Sequence, residues 1–105
     1  MDQQEVDREI EKLEKHLGIY PEDEESHIIL GKFYFLSKKY NDAIKTYQKL
    51  LSFSDGNVSA YYNLAVAFEA TKNYEESKKN YRKVLELDKD NKEAQEALNR
   101  ITTFQ

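Results

Sequence analysis

The chain has 105 residues with no cysteine, one proline, three glycines, 34% charged residues and a formal net charge of −4. Without cysteine it has neither disulfides nor thiolate chemistry, and its acidic balance argues against the phosphate neutralisation that nucleic-acid binding needs. No apolar run approaches the ~18 residues of a membrane span, and the acidic N-terminus carries no apolar signal stretch, so a cytoplasmic location, no membrane insertion and no nucleic-acid partner are expected.

Helical periodicity and turn signals divide the chain into six segments. The first runs from about Asp2 to Leu17, with Val6, Ile10, Leu13 and Leu17 as a narrow apolar stripe on an otherwise polar helix. Gly18 to Pro21 ends it. The second spans Glu24 to Ser37 and the third Tyr40 to Phe53, separated by Ser37 to Lys39. Ser54 to Asn57 leads into the fourth, Val58 to Thr71, and Thr71 to Asn73 into the fifth, Tyr74 to Leu87. After Asp88 to Asn91 the sixth begins near Lys92 and turns Ala94, Leu98 and Ile101 inward. Asn73 with Glu76 offers a capping box to the fifth helix, and Asp90 or Asn91 a cap to the sixth, Asp90 pairing with Glu93.

These segments are not independent. A shift of 34 residues carries Leu30 onto Leu64, Tyr34 onto Phe68, Tyr40 onto Tyr74, Ala43 onto Ser77, Tyr47 onto Tyr81, Leu51 onto Leu85 and Asn57 onto Asn91, without a gap. A fixed period of this length marks a unit that cannot bury its apolar face alone and must stack on a neighbour. Gly31, mid-helix, costs about 1 kcal/mol relative to alanine. That cost fits a close helix approach, with Ala43 expected opposite Gly31 and Ser77 opposite Ala65, while Tyr47 and Tyr81 fill the space between successive units.

With these residues in register, the chain resembles the tetratricopeptide repeat family, whose 34-residue pattern runs Trp-x2-Leu-Gly-x2-Tyr, Ala-x3-Phe, then Pro. Leu30, Gly31, Tyr34, Ala43 and Tyr47 carry the match in residues 24–57, and Leu64, Ala65, Phe68, Ser77 and Tyr81 carry it in 58–91. His27 and Tyr61 stand where the pattern has tryptophan. Asp55 and Lys89 stand where it has proline, and Pro21 holds that place one period earlier. The resemblance implies an all-α fold, an alpha-alpha superhelix or helical-hairpin solenoid of six antiparallel helices. One domain over 1–105 is expected: a half-repeat helix in 1–20, full repeats in 24–57 and 58–91, and a C-terminal capping helix in 92–104.

The resemblance also implies a non-catalytic adaptor or scaffold that holds a protein or peptide partner in a concave groove lined by the first helix of each unit. The groove residues expected from helical geometry are Ile28, Lys32, Phe35, Tyr62, Asn63, Val66, Glu69 and Arg100, with Leu36, Glu93 and Thr103 nearby. Large apolar groups rimmed by charge are a usual mark of a binding surface. Family members that grip acidic chaperone tails use a clamp of lysine, asparagine and arginine donors. In this register those positions hold Ile28, Lys32, Asn63, Glu93 and Ala97, of which Asn63 alone fits, so chaperone-tail binding is not expected.

The alternative is a structural or self-assembling protein acting through end-to-end or convex-face contacts, possibly as a homodimer. Residues 1–26 carry ten acids against three bases, and 27–57 five bases against two acids. Lys45, Lys49, Lys79 and Lys83 recur as a basic stripe on the second helices. The sequence ending Ile101-Thr-Thr-Phe104 has less obvious shielding than the polar first helix. No His-Glu-x-x-His, glycine-rich phosphate loop or calcium loop is present. His27 is accounted for by packing and His16 by its place at a helix C-terminus. No metal, no cofactor and no enzymatic turnover are expected.

Overall fold

The computed structural model describes residues 1–104, with side chains through Thr102. Its helices are α1 Gln3–Ile19, α2 Glu24–Leu36, α3 Tyr40–Phe53, α4 Val58–Ala70, α5 Tyr74–Leu87 and α6 Lys92–Phe104. No strand occurs among the described residues. Each helix packs on the next in the chain, and α2 also touches α4, so the helices stack as successive hairpins in an array of 39 × 28 × 19 Å. The expected all-α helical-repeat superhelix is what the chain forms.

The 34-residue register is written into the helix ends as well as the core. Asp23, Asn57 and Asn91 are spaced one period apart, and each caps the helix that follows. Their side-chain oxygens accept from Ser26 N–H at 3.2 Å, Ala60 N–H at 2.9 Å and Ala94 N–H at 2.9 Å. Each cap satisfies one of the donors that a helix start leaves unpaired. Of the two residues expected to cap α6, Asn91 is thus the one that does. Asn73 accepts from Glu76 N–H at a longer 3.4 Å.

The ends of α2 and α4 match in the same way. Lys38 and Lys72 take the left-handed conformation, with φ 61° and 63°. Lys39 N–H reaches Tyr34 C=O and Asn73 N–H reaches Phe68 C=O, both at 2.9 Å. Lys38 N–H then bonds Phe35 C=O and Lys72 N–H bonds Glu69 C=O, both at 3.0 Å. This is a Schellman closure, made twice with lysine where glycine is usual.

The core forms three apolar clusters along the array. Val6, Ile10 and Leu30 join α1 to α2. Ala43, Ile44, Tyr47, Leu64 and Ala67 join α3 to α4. Ala65, Tyr81, Val84, Ala94, Ala97 and Ile101 join α4 and α5 to α6. Tyr47 and Tyr81 are each only 1% exposed and fill the space between successive units, as their spacing predicts. Ile101 is buried by this packing. The side chains of Thr103 and Phe104, expected near the groove and at the array's end, lie outside the described residues.

The small residues divide their roles. In the second hairpin Ser77 is fully buried and its hydroxyl donates to Ala65 C=O at 2.8 Å, so small meets small. In the first, the nearest atoms to Gly31 belong to the ring of Tyr47 rather than to Ala43. A long side chain from α3 reaches into the gap that a missing Cβ leaves.

His27 and Tyr61 show what the tryptophan position needs. His27 Nε2 donates to Pro21 C=O at 2.9 Å, and Tyr61 hydroxyl donates to Asp55 C=O at 2.8 Å. The two donors, and the two carbonyls that receive them, are each one period apart. Both side chains combine a flat apolar body with one donor, as tryptophan does. The fit of His27 is incomplete, because its other ring nitrogen, Nδ1, is buried without a hydrogen-bond partner.

Candidate functional site

On the face that α2, α4 and α6 share, three adjoining hollows open, and Tyr62 lines all of them. One of about 450 Å³ is bounded by Lys32, Phe35, Leu36, Tyr47, Tyr62, Asn63 and Val66. A second of about 490 Å³ lies among Phe35, Tyr62, Val66, Glu69, Ala70, Tyr81 and Arg100. The third, about 410 Å³, is bounded by Val58, Ser59, Tyr62, Asn91 and Glu93. Volumes of this order match those of ligand-binding clefts.

Helical spacing sets this arrangement. Lys32, Phe35 and Leu36 follow one another around one face of α2, and Tyr62, Val66 and Glu69 around one face of α4. Tyr62 is half-buried and stands edge-on to Tyr81, ring centroids 5.6 Å apart and planes at 67°. Phe35 packs edge-on against Tyr40 at 5.0 Å. Both rings are therefore held by aromatic neighbours yet keep a face toward the hollows.

The polar groups are more constrained than their sequence positions suggest. Glu69 and Arg100 form a two-pronged ion pair joining α4 to α6, with Arg100 Nη2 to Glu69 Oε1 at 3.2 Å and a closer contact from Nη1 to Oε2. Tyr81 hydroxyl donates to the same Glu69 Oε1 at 3.0 Å. Burial first, and the adjacent Glu69 carboxylate second, push the Tyr81 phenol well above its ordinary range. Asn63 Nδ2 donates to Ser59 C=O at 2.8 Å, which leaves its Oδ1 turned toward acceptance. Lys32 is exposed and has no ion-pair partner among the described residues.

Of the eight residues expected in the groove, Lys32, Phe35, Tyr62, Asn63, Val66, Glu69 and Arg100 line these hollows. Ile28 instead packs on the cluster of Ala43, Ile44, Tyr47, Leu64 and Ala67 and lines none of the three. Residues of 24–57 and 58–91 that read as pure packing contribute too: Tyr47 and Tyr81 reach through from α3 and α5 to form the floor. The signal was present in the spacing, since each tyrosine lies sixteen positions after a small residue, Gly31 or Ala65. Tyr47 hydroxyl has no hydrogen-bond partner among the described residues.

The basic stripe of the second helices is partly neutralised. Lys83 pairs with Glu86 at 3.2 Å and sits over the Tyr61 ring. Lys45, Lys49 and Lys79 have no ion pair among the described residues. Among the same residues no helix is long and apolar enough to cross a membrane.

Stacked helical hairpins with an open face lined by alternate helices define a repeat-solenoid class of protein-interaction fold. Two family models agree with the register: one described as "Tetratricopeptide repeat" matches residues 58–91, and one described as "TPR repeat" matches residues 31–72. Together they span more than half of the chain, which belongs to the tetratricopeptide repeat family. Among solved structures, the first TPR of Spaghetti (RPAP3) bound to the HSP90 peptide SRMEEVD superposes with a TM-score of 0.90 at 28% identity, covering 96% of this chain and 80% of that one. The first TPR domain of human RPAP3, determined by NMR, gives 0.89 at 28% identity with the same coverage. The Arabidopsis OM64 TPR domain gives 0.89 at 18% identity, covering 97% and 84%. No curated protein sequence matches the chain.

Proposed function

We propose that the chain is a non-catalytic adaptor that holds a peptide segment of a partner protein along the face of α2, α4 and α6. The observation that carries this reading is the run of three hollows sharing Tyr62, with Phe35 and Val66 as further apolar walls. A partner side chain seated there meets aromatic faces held in place beforehand, so little conformational freedom is lost on binding. Lys32, the free Oδ1 of Asn63 and the unpartnered Tyr47 hydroxyl supply polar anchors beside the apolar walls.

The same face disfavours the acidic peptide that the Spaghetti domain is seen holding. Where a carboxylate clamp would place two cations on α6, this chain has Glu93, which is exposed, and Ala97, which is buried at 4%. Arg100 is already engaged by Glu69. The peptide SRMEEVD is therefore expected to bind no more tightly than about 0.1 mM, an affinity near −5.5 kcal/mol. Tight, saturable binding of it, abolished in Asn63→Ala, would contradict this.

Selection of a displayed random-peptide library on the chain supplies ligands whatever the natural partner is. Their affinities, measured by isothermal titration, should fall at least about fivefold in Tyr62→Ala and in Phe35→Ala, since truncating an aromatic anchor typically costs more than about 1 kcal/mol. Selected peptides that bind both variants as tightly as the parent would place the binding surface elsewhere.

A further inference from the structure

A larger hollow lies away from α4 and α6. It has a volume of about 1000 Å³ and is walled by the end of α1, the turn into α2 and the last turns of α3. Ile19 and Tyr20 stand on its rim, 71% and 58% exposed, beside the half-buried Phe53. Exposed apolar residues grouped around a hollow of this size are unusual on a surface with no partner. The concave groove makes no use of them.

The charges of this patch fall into two sets. His16 Nε2 and Asp23 Oδ2 are 2.7 Å apart and satisfy each other. Lys49 and Glu22 also line the hollow, are exposed, and have no ion-pair partner among the described residues. The patch thus offers projecting apolar groups and a recess to receive them, together with one free charge of each sign. A partner of single charge would satisfy half of this set. A second copy of the same patch, turned about a two-fold axis, satisfies all of it, because in such an interface each surface must complement itself.

We propose that this patch joins two copies of the chain, with Ile19 and Tyr20 of each seated in the recess of the other and Lys49 of each facing Glu22 of the other. The interface leaves the face of α2, α4 and α6 open, so it does not depend on the groove reading and can fail without it.

Sedimentation equilibrium of the full chain over micromolar to millimolar concentration tests it. A monomer–dimer equilibrium is expected. Ile19→Asp, at a site too exposed to matter for folding, should shift the chain to monomer. Lys49→Glu and Glu22→Lys should each raise the dissociation constant about fivefold or more, because symmetry breaks two exposed pairs at once. The doubly reversed Lys49→Glu/Glu22→Lys chain should recover the parental constant. A monomer at every concentration, a dimer that survives Ile19→Asp, or a double reversal no better than either single one would overturn the proposal.

Discussion

Replacing Gly31 by alanine should destabilise the fold even though alanine is the better helix former. Propensity alone predicts a gain of about 1 kcal/mol. The packing predicts a loss. A Cβ built on Gly31 would lie 2.8 Å from the Tyr47 hydroxyl oxygen and closer still to ring atoms Cε1 and Cζ. Ordinary carbon contacts need about 3.5–4.0 Å. The ring must therefore move by roughly an ångström, and it is 1% exposed in a cluster with Ala43, Ile44, Leu64 and Ala67. Overpacking of this kind costs about 1–3 kcal/mol, so the net effect should be a loss of up to about 2 kcal/mol. Urea unfolding followed by far-ultraviolet circular dichroism measures it directly. A double-mutant cycle isolates the cause: in a Tyr47→Leu background, where the ring is gone, Gly31→Ala should become neutral or stabilising. A Gly31→Ala chain more stable than the parent, or the same effect of Gly31→Ala in both backgrounds, would refute the reasoning.

Three further outcomes follow from the repeat register. Lys38→Gly and Lys72→Gly should each stabilise by about 0.5–1 kcal/mol, since both lysines hold a left-handed conformation that costs a side chain about 1–2 kcal/mol, partly offset by the entropy of glycine; thermal unfolding should show a rise of a few degrees. His27→Tyr, which copies Tyr61 one period on, should keep a donor for Pro21 C=O and remove the buried unpaired Nδ1, for a gain on the order of 1 kcal/mol by denaturant titration. On acidification the array should lose stability. Asp23 is held below the usual carboxylate range by the His16 hydrogen bond and then by Ser26 N–H, and Glu24 by Asn57 and then Ser54. Stabilisation from carboxylates of lowered pKa is complete above their unfolded values near 4 and is lost as the pH falls through the folded ones. The melting temperature should accordingly drop between about pH 5 and pH 2, and Asp23→Asn should flatten that drop.

Much of this fold was legible because the 34-residue register repeats physical requirements, not only residue names. Helices α3 and α5 begin and end where spacing and turn residues place them, and Tyr47 and Tyr81 fill the gaps between units. The missing tryptophans were legible as absences. That His27 and Tyr61 both donate to a carbonyl in the preceding turn depends on turn geometry, which spacing does not carry. The candidate groove was readable as a set of outward positions, yet its chemistry was not. Glu69 and Arg100 are 31 positions apart in different helices and bind each other, so neither is a free charge. Ile28 shares a helix face with Lys32 but packs onto the cluster that α3 and α4 form together. Leu36, 67% exposed, lines the hollow as its outward position suggests, whereas the floor tyrosines reach it through the helix crossing, which no one-helix pattern encodes.

The central claim is that partner recognition belongs to the face of α2, α4 and α6. An amide-resolved NMR titration of the isotope-labelled chain with a library-selected peptide tests it most directly. The shifts should concentrate on residues around Phe35, Tyr62, Asn63 and Val66 and leave α3 and α5 outside the floor tyrosines unmoved. Saturating shifts confined to α1 or to the outer faces of α3 and α5, with Tyr62 and its neighbours unchanged, would contradict it.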